Sequence, residues 1–188
     1  LARFMKDRKS HAGGKAPRNL MPMSEVLTRM VKNIDDRYYI GDQWQYYCPE
    51  NANWMSYGWI GGLMNTYPML ALGDAEHLQK VTFDFALPRA KGKSGYYYDV
   101  LGADGKPFSR DAAANHPGVG LTRKNGDILY WMVKQFMLLK EQEKASAIDP
   151  EWETNVRLLA DAFVNTWKKH GTWGNYLDVE SGDIAVYN

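Results

Sequence analysis

At 188 residues, 45% hydrophobic and 24% charged, the chain has the size and balance of a well-packed globular protein. A net charge of +1 removes any broad electrostatic case for nucleic acid, and the most apolar run, Ile128 to Val133, is far shorter than the ~18 apolar residues of a membrane span. Cys48 as sole cysteine excludes an internal disulfide and a cysteine-based zinc site.

Residues 1–22 are basic and glycine-containing and read as a loop or arm, with 23–188 as the folded segment. Ser24 is placed to cap a first helix in which Val26, Leu27, Met30, Val31 and Ile34 recur at helical spacing, ending near Asp35-Asp36. After a loop holding Gly41 and Pro49, a second helix is predicted from Ser56 to Leu72, apolar nearly all round and kinked at Pro68. Gly73 stops it and Asp74 caps a third helix that runs through Leu87 and ends at Pro88, making an antiparallel helical hairpin. Gly95 to Val100 reads as extended, Ala103 to Lys106 as a turn, and Ser109 to Gly120 as a long polar loop.

A fourth helix is predicted from Arg123 to Lys144. The fifth has the clearest start, Asp149 as N-cap with Pro150 at the first helical position, and Gly171 closes it. Trp152, Val156, Leu159, Phe163 and Trp167 form its apolar stripe; Glu153, Arg157, Asp161 and Lys168 face water. Beyond it, Gly174-Asn175-Tyr176-Leu177-Asp178-Val179 answers Gly95-Tyr96-Tyr97-Tyr98-Asp99-Val100 at an offset of 174 − 95 = 79 residues, each followed by a glycine turn. The recurrence of Asp99 and Asp178 points to a turn role for both.

Buried helix, amphipathic helix and extended segment thus occur twice, and the expected fold class is all-α: antiparallel helical hairpins with short β-like turns. The hairpin order, the loop Gly41-Asp42-Gln43-Trp44-Gln45-Tyr46-Tyr47 and the helix entry Leu121 to Trp131 resemble the six-hairpin glycosidase superfamily, the (α/α)6 toroids. The resemblance implies an arc of an α/α toroid, with about two and a half of its six hairpins, that holds a sugar in a loop-lined funnel. It also implies a periplasmic or secreted setting, although the chain carries no signal peptide. The opening at Leu1 and the end at Asn188, within a strand-like stretch, read as cuts from a longer protein. The second and fourth helices are then expected to leave apolar flanks exposed, to be covered by missing hairpins or by a second copy of the chain.

Aromatics make up 13% of the residues, with 7 Trp and 12 Tyr, which suits either a ligand-stacking cleft or a large aromatic core. Glycoside hydrolysis needs two carboxyl groups, and Asp42, Glu50 and Asp127 are the candidates. Asp42 and Glu50 sit among Trp44, Tyr47 and Trp54, side chains suited to a sugar platform. The competing reading of Asp127 is a carboxylate complementing the dipole in a first helical turn; Glu50, between Pro49 and Asn51, is balanced between a loop role and a catalytic one. Arg123, Asn125 and His116 complete the candidate substrate contacts, Arg123 as a cation at a helix entry that could grip a carboxylated sugar or pair with a nearby loop. His11, His77, His116 and His170 are scattered, so no metal site is expected, and no glycine loop of phosphate-binding type suggests a cofactor. The expected function is a glycoside hydrolase, or a piece of one, acting on an oligosaccharide or polysaccharide. The alternatives are a polysaccharide lyase acting on uronic-acid sugars and a non-catalytic carbohydrate-binding domain.

Overall fold

The structure is a computed structural model that describes residues 21–40, 46–47, 54–56, 63–71, 81–102, 104–109 and 118–187. The chain divides into two compact units, Leu1–Lys32 and Asn33–Asn188. The described part of the first is the opening of helix α1 (Met23–Tyr38), whose residues 33–38 fall in the second. Here Arg29 pairs with Glu25 one turn earlier at 2.6 Å, and the Thr28 hydroxyl donates to the Ser24 carbonyl. The helix starts one residue before Ser24, which lies inside the first turn rather than capping it.

The second unit mixes helices with small antiparallel sheets, so the all-α expectation is overturned and the toroid arc with it. Strands β1 (Tyr39–Ile40) and β2 (Tyr46–Tyr47) form a two-residue ladder. A three-stranded sheet joins β3 (Trp54–Ser56), β4 (Val100–Gly102) and β5 (Pro107–Phe108), with β4 central. A second joins β6 (Val119–Leu121), β7 (Tyr176–Asp178) and β8 (Ile184–Val186), with β7 central. Two of these strands replace other expectations: Ser56, the predicted start of a helix, ends β3, and the predicted loop before Leu121 closes as β6.

Helix α2 (Leu63–Ala71) contains Pro68. A π-helical turn, Val81–Ala86, runs directly into α3 (Leu87–Ala90), so Pro88 lies at the start of the final α-turn instead of ending the helix. Helix α4 (Thr122–Glu141) and its C-cap residue are tied to α2 by two glutamines: buried Gln135 donates to the Leu63 carbonyl at 3.1 Å, and the C-cap Gln142 to that of Leu70 at 3.2 Å. Helix α5 (Pro150–His170) has the predicted ends: Asp149 accepts from the Glu151 amide at 2.7 Å, and Gly171 takes the left-handed C-cap conformation at φ +68°.

The core gathers Tyr96, Tyr97, Leu101, Ile128, Met132 and Leu159. Phe83 stacks between Phe136 and Trp152, at 5.4 and 4.8 Å between ring centres, and the Trp152 indole donates to Asp84. The two repeated segments meet in this core. Ser94 N–H donates to Val179 O, Val179 N–H to Gly118 O, and Thr122 N–H to Asn175 O. Gly92 has no room for a side chain, because a Cβ there would overlap the Val179 carbonyl. On α4, Tyr130, Val133 and Met137 form an exposed apolar stripe.

Candidate functional site: an aromatic groove and a polar pocket on α5

The apolar stripe of α5 begins inside the core and ends outside it. Trp152 is 5% exposed and Leu159 fully buried, whereas Trp167, three turns on from Val156, is 49% exposed. The chain then turns at Gly171 and brings Trp173 back against the helix, its ring centre 4.6 Å from that of Trp167 and tilted by 38°. The Trp173 indole N–H donates to the Phe163 carbonyl at 2.8 Å, so the ring is held in place although it is 39% exposed. Its edge also meets the Phe163 ring at 6.3 Å. Phe163, Val164, Trp167, Lys168 and Trp173 line a groove of about 280 Å³.

A second concavity, of about 150 Å³, is lined by polar groups: Ser94, Asn165, Thr166, Lys169, Ser181 and Asp183 among them. At 3.6 residues per turn, 162, 165, 166 and 169 lie on the opposite side of α5 from 163, 164, 167 and 168, so groove and pocket are separate. Lys169 and His170 both bond the Asp183 carboxylate, His170 at 3.4 Å. The Lys169 hydrogen bond, followed by that of His170, holds the Asp183 carboxyl below the usual carboxylate range. Thr166 joins the pocket to the core: Tyr96 and Thr166 hydroxyls lie 2.9 Å apart, and Thr166 Oγ1 donates to Gly182 O at 3.0 Å.

The sequence candidates fare differently. Asp42, Trp44, Glu50 and His116 lie outside the described residues. Tyr47 is placed in β2, paired with Tyr39, and Trp54 in β3, paired with Gly102. Arg123, Asn125 and Asp127 stand on the first turns of α4. Arg123 is exposed. Asn125, expected to touch substrate, is fully buried and committed to the backbone: its Oδ1 accepts from Tyr97 N–H at 2.8 Å, and its Nδ2 donates to Tyr97 O at 3.0 Å and Leu121 O at 3.3 Å. Asp127 is the sixth residue of α4, beyond the first turn where a carboxylate serves the dipole. It is half-buried, and burial raises its carboxyl above the ordinary 3.8 against the opposing pull of Arg123.

Asp178 takes the expected turn role, accepting from the amides of Glu180 and Ser181 at 2.9 and 2.7 Å. Asp99 departs from it: fully buried, it accepts from Leu121 N–H across the fold at 2.6 Å. The groove and pocket were missed because Trp167 continues a stripe that reads as core. The available signal was its place in the last turn before a glycine cap, with Trp173 just beyond that cap. Among the described residues, no group of three or more His, Cys, Asp or Glu is arranged to hold a metal ion. Compared with protein-family models, curated proteins and solved structures, the chain matches none of them.

Proposed function

We propose that this chain is a carbohydrate-active protein that holds an oligosaccharide or polysaccharide in the Trp167–Trp173 groove. The observation that carries the reading is the pinned, half-exposed tryptophan pair. Indoles left in water forgo burial worth ~1.5–3 kcal/mol for a large apolar side chain. The C–H face of a sugar ring restores that contact, since its weakly positive hydrogens meet the negative face of the indole. Holding Trp173 through its N–H lowers the entropy lost when a ligand docks. The test is affinity electrophoresis through gels containing soluble plant and bacterial polysaccharides. At least one polymer should retard the protein, and Trp167→Ala and Trp173→Ala should each abolish the retardation. Migration unchanged by every polymer would refute the proposal.

Glycoside hydrolysis is a second reading, favoured by Asp127, whose raised carboxyl suits a general acid. Its partner would come from Asp42 or Glu50. On this reading, Asp127→Asn lowers turnover of a retained oligosaccharide by about 10²-fold or more with its binding unchanged. Equal turnover by the variant would remove Asp127 from the chemistry.

A further inference from the structure

We infer that the polar pocket on the opposite side of α5 is a binding site in its own right, one that takes a small neutral polyhydroxyl ligand, such as one monosaccharide or the hydroxyl edge of a terminal sugar. Its volume, about 150 Å³, is several times the ~30 Å³ share of one water molecule. Its wall is preformed by hydrogen bonds within the protein. Ser94 Oγ donates to Val179 O at 2.8 Å and accepts from Tyr96 N–H, Thr166 bridges Tyr96 and Gly182, and Ser181 Oγ accepts from Asp183 N–H at 3.2 Å.

The charges select the ligand class. Lys169 and Asp183 face the same small space and are paired with each other, which leaves the lining without net charge apart from the flanking His170. An anion entering the pocket meets the Asp183 carboxylate, and a cation meets the Lys169 ammonium. A zwitterion spanning the pair brings its carboxylate toward Asp183 as well as Lys169 and its ammonium toward Lys169 as well as Asp183, because the two side chains are in contact. A ligand whose every polar group both donates and accepts satisfies Lys169 and Asp183 together without breaking their contact, and hydroxyl groups have that property. Asn165 adds an exposed amide at the rim, a donor and an acceptor with no side-chain hydrogen bond among the described residues.

The inference stands apart from the groove, and its test keeps the two apart. The ¹⁵N-labelled chain is titrated separately with glucose, galactose, mannose, xylose and myo-inositol, and with glycine and inorganic phosphate as charged probes. Saturable shifts of the Thr166 and Gly182 amides are expected with at least one of the five polyols and with neither charged probe. Asn165→Ala and Asp183→Asn should each weaken that titration at least fivefold, while Trp167→Ala leaves its midpoint unchanged. Asn165 is exposed and outside the core, so its variant reads binding even if Asp183→Asn unfolds. No saturable shift with any polyol, saturation by glycine or phosphate, or an unchanged midpoint in Asn165→Ala would each overturn the inference.

Discussion

Asn125 shows how one side chain can look like a ligand contact in sequence and be a structural clamp in space. A polar residue at a helix entry is a reasonable substrate contact, but its carboxamide matches a peptide group in donor and acceptor spacing, and here it pairs with both the N–H and the C=O of Tyr97. Nothing local announces a partner 28 residues away. Replacing Asn125 with Ala strands two buried backbone groups, so urea unfolding should show a loss of about 3 kcal/mol. Binding in the Trp167–Trp173 groove should survive in the fraction that remains folded. Asp127 differs in another way: the sequence sets it in a first helical turn, whereas it is the sixth residue of α4, and its raised carboxyl comes from burial that only the fold supplies.

At the scale of elements, legibility followed the range of the interactions that decide each one. Helix α5 was readable end to end because its signals are local: a side-chain N-cap, a proline in the first turn, a glycine at the C-cap. Of the strands, β7 falls in a segment read as extended and β8 in a strand-like stretch, but the sheets were not legible, because each strand has only two or three residues, too few to show a period of two, and β3 finds its partner β4 more than forty residues on. The two segments agree at their glycines: Gly95 and Gly174 (174 − 95 = 79 residues apart) and the turn glycines Gly105 and Gly182 (182 − 105 = 77 apart) all have positive φ. The strands nevertheless do not correspond, since β7 starts two residues after Gly174 and β4 five after Gly95. The close meeting of the two copies is the part least tolerant of change. Gly92→Ala pushes a methyl into the Val179 carbonyl, and a destabilisation of about 3 kcal/mol is expected by denaturant titration. A variant as stable as the parent would mean that the two segments do not pack this closely.

For the molecule as a whole, helical periodicity and hairpin counting led to a ring of helices, whereas the described chain builds two small sheets around Val100–Gly102, at the end of the first extended segment, and Tyr176–Asp178, within the second. The two concavities lie on either side of α5: the turn before β8 supplies Gly182 and Asp183 to the pocket, and the turn after α5 returns Trp173 to the groove. Ligand binding between Trp167 and Trp173 is read most directly from the indole N–H resonances of the seven tryptophans. The ¹⁵N-labelled chain is titrated with oligosaccharides cut from whichever polysaccharide retards it most in gels. Saturable shifts are expected at the Trp167 and Trp173 indoles, with the Trp152 indole, bonded to Asp84 beside the core, unmoved. Saturable binding that moves other tryptophans and leaves these two unshifted would contradict binding in the groove.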